Sequence, residues 1–271
     1  MNHLRRTLAP IPSAAWKAIE AEARDALKTY LAARKLVDFD GPHGFGYSAV
    51  NLGRTTPCNL ESSSDAEKRI DASLRQVAPL LELRVPFELP LRELDDVDRG
   101  ATDLELAPVV DAARTFARAE DRAVFYGVDG AGMAGMVSGS THEPVPAPDK
   151  PEDLAKSVST AMARLRSAGV DGPYGLALDS DHYTAMLRAT GPGGYPVLQH
   201  MRRLLDGPTV WAPALEGALL VSLRGGDFEL VVGQDISVGY RDHTAETISL
   251  YLEETFTFRV KGPEAAVPLG L

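Results

Sequence analysis

The chain has 271 residues, 44% of them hydrophobic, and 28 basic against 38 acidic side chains give a net charge of −10. That much apolar material fills one large core or two modest ones, which excludes disorder throughout. The acidic balance disfavours a phosphate backbone as the main partner, and a lone cysteine, Cys58, makes neither an intramolecular disulfide nor a zinc site.

The opening "MNHLRRTLAPIPSAAW" lacks an apolar targeting core, and no later stretch has the length of a bilayer span. The expectation is a soluble cytoplasmic protein without a membrane partner. Ser13 is placed to cap a helix whose apolar positions Trp16, Ile19, Ala23, Leu27 and Leu31 recur at helical spacing, and "DFDGPHG" at Asp38 to Gly44 is read as its end. The chain is polar and turn-rich from Ser48 to about Gln76. It then alternates strictly through "LELRVPFEL", a strand with one wet face that Pro86 assigns to a sheet edge. Together these predict an extended hairpin arm whose open edge needs a partner.

"LAPVVDAARTFARAEDRAVFYG" predicts a helix with Pro108 near its start and Gly127 at its end. "HEPVPAPDKPED" at His142 to Asp153 marks a boundary. After it, "PEDLAKSVSTAMARLRSAG", "YGLAL" and "SDHYTAML" read as helix, strand and helix of a small α/β region. "GALLVSL", "RGG" and "FELVVG" read as two strands joined in a hairpin by Gly225 and Gly226, with Gly233 and Gly239 relieving strand ends. "TISLYLEETFTFRV" is an unusually long strand that places Glu254 on its apolar face.

Catalytic chemistry finds little support. The six histidines are scattered, with no i, i+4 pair for a metal. Ser180, Asp181 and His182 are adjacent on a short helix and point apart, so Asp179 or Ser180 is read as its cap. Glu120 and Asp121 lie within helical reach of Arg114, Arg118 and Arg122, which suggests ion pairing on a solvated or interfacial face, and Glu254 is read as a structural ion pair. The glycines at 225, 226, 233 and 239 introduce no helix, so no nucleotide site is expected there. No cofactor, metal or catalytic residue is assigned.

The blocks "LRRTLAPI", "AARKLVDFDGPHG", "LELRVPFEL", "ELDDVDRG", "AEDRAVFYG", "GPYGLAL", "RGGDFELVVGQDISVGY" and "LYLEETFTF" occur in this order. In them the sequence resembles the encapsulins, nanocompartment shell proteins also described as linocin-like bacteriocins. The resemblance implies an α+β fold of the tailed-phage major capsid protein (Hong Kong phage) type. Residues 1–48 would form the N-terminal helix and the start of the P-domain, 49–83 the E-loop and 84–134 the P-domain with its spine helix. Residues 135–223 would form the A-domain, 224–262 the P-domain sheet and 263–271 a C-terminal segment.

The resemblance also implies a homo-oligomeric icosahedral shell around a cargo enzyme, a ferritin-like iron oxidase or a dye-decolorising peroxidase, captured by a C-terminal targeting peptide. Iron storage or a role in oxidative stress would follow. Leu27, Tyr30, Leu31, Arg34 and Asp38 would receive that peptide from the helix side, and Asp235, Ile236 and Val238 from the sheet side. Ala189, Thr190, Gly191, Pro192, Gly193, Gly194 and Tyr195 would form a five-fold pore loop, glycine-rich enough to switch between open and closed states. The alternatives are a bacteriocin- or protease-like enzyme and a DNA-packaging viral capsid protein.

Overall fold

The computed structural model describes residues 3–58, 71–146, 153–190 and 194–270. Helix α1, Ser13–Tyr30, buries Ala15, Trp16, Ile19, Ala23, Ala26 and Leu27 along one stripe. Ser13 does not cap it; Pro12 flanks the first turn and Ser13 is already helical. Nor does the helix run to Asp38. It stops at Tyr30, where the Asp121 carboxylate takes the backbone N–H groups of Ala32 (2.9 Å) and Ala33 (2.9 Å). These amides are satisfied from another element, so the chain turns through a 3₁₀ turn, Ala33–Lys35, into strand β1, Asp38–Asp40.

Strands β2 (Ala49–Cys58) and β3 (Ala72–Pro79) pair antiparallel as a hairpin exposed along most of its length. Strand β4, Leu81–Pro90, is followed by the acidic helix α2, Leu91–Asp98. Helix α3, Ala107–Tyr126, has Pro108 in its first turn and ends at Gly127, whose φ of 86° suits only glycine well. The short pair β5 (Gly127–Val128) and β6 (Met133–Ala134) folds back on the end of α3.

Next come α4 (Leu154–Ser167), β7 (Tyr174–Leu178), α5 (Ser180–Arg188), α6 (Val197–Leu205), β8 (Thr209–Trp211) and β9 (Ala218–Ser222). Strands β10 (Phe228–Val232), β11 (Ser237–His243), β12 (Thr247–Val260) and β13 (Ala266–Leu269) complete the chain. Two sheets result. The first joins β1, β10, β11, β12 and β4; the second runs β13-β9-β7-β8.

Strand β12 is the axis of the first sheet. Its residues 247–256 pair with β4, while β11 and β10 follow one another along its opposite edge. Strand β4 pairs with β12 alone among the described residues, which fits Pro86 at a sheet edge.

Two readings of the glycine-rich stretch change. Strands β9 and β10 lie in different sheets, so Gly225 and Gly226, both at φ 83°, make a crossover rather than a hairpin. The side chain of Asp38 accepts the Gly226 N–H at 2.6 Å, and the Arg224 guanidinium grips Asp227 with two bonds of 2.8 and 2.9 Å, holding the turn beside β1. Gly239 is not at a strand end either. It sits within β11 opposite Tyr251, whose ring occupies the space a Cβ would need, 2.2 Å from the nearest ring atom.

Candidate functional site: a groove between the first helix and the sheet

Helix α1 lies over β11 and leaves a groove of about 450 Å³, lined by Ala23 and Leu27 of the helix with Leu31 just past its end, and on the sheet side by Ile236 before β11, Val238 and Leu252. Val238 and Leu252 are cross-strand partners, so the pleat presents them side by side. The helix residues recur every four positions, so they form one continuous apolar wall. Charges bound both ends. Arg6 pairs with Glu20 at 2.6 Å near one end, and Arg34 with Asp235 at 3.0 Å near the other.

Six of the eight residues anticipated for a peptide site therefore line one groove: Leu27, Leu31, Arg34, Asp235, Ile236 and Val238. Two stand apart from it. Tyr30 tilts against Trp211 at 5.8 Å between ring centres and lies under Arg114. Asp38 has moved onto β1, where its carboxylate serves the Gly226 amide. Of the loop 189–195, Gly191, Pro192 and Gly193 lie outside the described residues. Ala189 accepts the Val197 N–H at 3.1 Å, Thr190 bridges to Pro196, Gly194 has a φ of 77°, and Tyr195 is exposed beneath Arg203.

Behind the Arg34 end of the groove lies a buried charged cluster that spacing alone misassigned. Glu120 and Asp121 are fully buried rather than on a solvated face, and the arginines of α3 are not their partners. Arg34 forks onto Glu120 through Nε to Oε1 (2.8 Å) and Nη2 to Oε2 (2.9 Å), and also donates to Glu254 Oε1 at 2.5 Å. Arg114 pairs instead with Asp111, and Arg122 approaches Glu216. The signal was present in the sequence, because Glu120 and Asp121 continue the stripe of Ala113, Phe116, Ala117 and Val124, all buried.

The electrostatics follow from desolvation. Burial alone would weaken the charge on Arg34, but its hydrogen bond to Glu120 and the attraction of Glu120, Glu254 and Asp235 overcome this and hold the guanidinium more firmly protonated than usual. Burial pushes Asp121 up to about 7, against the pull of the Ala33 and Ala32 amides. Glu254 is raised well above the usual carboxylate range, first by burial and then by Glu120. On the opposite side of β12, Glu253 is also fully buried. It is held by Arg84, and His3, stacked on Phe45, places Nε2 3.2 Å from its Oε1 without a hydrogen bond.

The hydrolytic look of residues 180–182 dissolves. Asp179 caps α5 by accepting the His182 N–H at 2.8 Å, and Ser180 Oγ accepts from Trp211 Nε1 instead of facing His182. Among the described residues no three metal-ligating side chains cluster, and no helix is long and apolar enough to cross a membrane.

Residues 1–257 match the family model described as "Encapsulating protein for peroxidase". The chain is 50% identical to the type 1 encapsulin shell protein of Rhodospirillum rubrum, covering 99% of this chain and 96% of that one. It is 48% identical to that of Brevibacterium linens over the full length of both, and 42% identical to that of Mycobacterium tuberculosis, again over both full lengths. Among solved structures, the virus-like particle from Pyrococcus furiosus superposes with a TM-score of 0.65 at 16% identity, covering 93% of this chain and 98% of that one. The capsid of Myoviridae phage XM1 gives 0.57 at 11% identity, with 88% and 91% covered. Identities this low establish the α+β capsid fold alone, whereas the full-length relatives establish kinship: the chain belongs to the type 1 encapsulin shell proteins.

Proposed function

We propose that this chain assembles into a closed icosahedral compartment in the cytoplasm and retains a cargo enzyme by binding a C-terminal peptide of that enzyme in the groove between α1 and β11. The observation that carries the reading is the groove itself: two apolar walls for side-chain anchors, with charge at both ends to set register. The family description names a peroxidase as the encapsulated protein. A ferritin-like iron oxidase is the other cargo class, with iron storage or protection from oxidative stress as the outcome. The relatives are shell proteins and the structural neighbours are capsids, so the chain is a structural protein rather than an enzyme.

In this reading the β2–β3 hairpin is the E-loop within 49–83. Residues 84–134 and 224–262 carry the P-domain, 135–223 the A-domain, and the loop 189–195 lines a five-fold pore that opens and closes for small solutes. The test is co-production of the shell with a peroxidase or ferritin-like protein bearing its own tail. Wild-type shells retain it; Ile236→Asp shells form but emerge empty. Full loading of intact Ile236→Asp shells sinks the groove assignment. The phage capsids that share the fold keep a DNA-packaging reading in view, and an absorbance ratio showing shells filled with nucleic acid would select it.

A further inference from the structure

At the end of the groove one guanidinium faces three carboxylates. Arg34 comes from the turn after α1, Glu120 from α3, Glu254 from β12 and Asp235 from the link between β10 and β11. Glu120 and Glu254 are fully buried, while Asp235 is 45% exposed on its side chain. Asp121 lies next to Glu120 and clamps the same turn through the Ala32 and Ala33 amides, with Lys35 the other nearby cation. On the outer side, the Phe39 ring of β1 lies 5.4 Å from the guanidinium carbon.

One atom in this cluster is unexplained. Glu254 Oε1 accepts from Arg34, but Glu254 Oε2 is buried with no donor, and Glu120 is the carboxylate neighbour of the Glu254 side chain. Two carboxylates side by side in a dry site cannot both stay ionised around a single shared cation. A proton on Glu254 resolves this, because the carboxyl then donates to Glu120 while still accepting from Arg34.

We propose that Glu254 and Glu120 are a positioning pair that shares one proton and seats Arg34 in the groove wall, so that the shape of the groove follows pH. On release, the O–H bond of Glu254 breaks, its electron pair stays on the carboxylate, and the proton passes to solvent water. The cluster then carries one more buried negative charge. Arg34 is drawn inward, its bond to the exposed Asp235 weakens, and the turn 32–35 shifts together with the end of α1. Burial pushes Glu254 above the usual carboxylate range, so the release comes at higher pH than for an exposed glutamate. Any consequence for cargo capture rests on the peptide-groove reading, but the structural step needs no cargo and is tested without it.

Tyr30 at the end of α1 touches Trp211, so Trp211 reports movement there. The sequence holds two tryptophans, so shells carrying Trp16→Phe retain Trp211 as their sole fluorophore of this kind, and Asp121→Asn in the same shells removes the other titrating carboxyl that holds the turn 32–35. Their emission is followed from pH 5 to 9 while light scattering checks that they stay assembled. The expected result is a single sigmoidal change in intact shells. It disappears when Glu254→Gln is added, because the amide mimics the protonated acid and fixes the low-pH signal at every pH. An unchanged midpoint in the Glu254→Gln shells overturns the proposal. So does a flat response in the parent shells, or failure of Glu254→Gln to assemble, since that would require the ionised form.

Discussion

Arg34 and Glu120, 86 residues apart, meet through two parallel hydrogen bonds of 2.8 and 2.9 Å at the junction of three elements. This fork geometry belongs to arginine and is not reproduced by lysine. Arg34→Ala strips the shared cation from Glu120 and Glu254, both of which stay buried. A loss of roughly 3–5 kcal/mol is expected, as for other buried pairs broken from one side. Thermal unfolding of assembled shells measures it, and an unchanged melting temperature would show that the pair does not hold the junction together.

Asp121 makes stability pH-dependent. Its carboxyl is raised to about 7 in the folded chain, so between the unfolded value near 4 and about 7 the folded state binds more protons than the unfolded one. The stability it contributes is full below that window and is lost as pH rises through it. Melting temperatures at pH 4.5, 5.5, 6.5 and 7.5 should therefore decline more steeply for wild type than for Asp121→Asn, which cannot titrate. Equal slopes would remove Asp121 from the account.

Gly127 ends α3 at a φ of 86°, and a Cβ there would lie 2.3 Å from the Met133 carbonyl oxygen. Backbone cannot swing aside as a long side chain does. Gly127→Ala is expected to cost more than the ~1 kcal/mol of the left-handed conformation alone. The β5–β6 pair, of which Gly127 is the first residue, should then lose protection in hydrogen exchange before the larger sheets.

The hairpin arm exposes Leu74 at 67% and Val77 at 51%, apolar surface that an isolated two-stranded ribbon has no means to bury. Leu74→Glu with Val77→Glu should leave the fold intact and stop assembly. Size-exclusion chromatography paired with circular dichroism separates these outcomes: folded small species are expected, and full-sized shells would rule the arm out as an assembly contact.

Legibility in the sequence followed the range of the interaction. The α3 stripe and the alternation of β12 were readable because each repeats locally, and Glu254 could be assigned to an ion pair because it broke that alternation. The stretch from 224 to 240 was misread in part. A double glycine between two apolar runs announces a reversal but not the sheet in which the second run finds its partner, and here Asp38, 188 residues away, holds the turn. Helices α2 and α6 and strand β13 were not read from the sequence. Leu27, Leu31, Ile236 and Val238, far apart in the chain, line one groove. Tyr30 packs on Trp211 and Asp38 holds the Gly226 amide, contacts that join residues 181 and 188 positions apart and leave no trace in local spacing.

One apolar cluster contains Leu230, Val232, Phe256 and Phe258 of the first sheet together with Leu176, Leu178, Leu219 and Leu220 of the second. A continuous dry interior across both sheets resists hinge motion between them. Each subunit then behaves mechanically as a stiff tile. Curvature and any breathing of a closed container are confined to the seams between tiles, and a container of a different diameter demands new seams rather than a bent subunit.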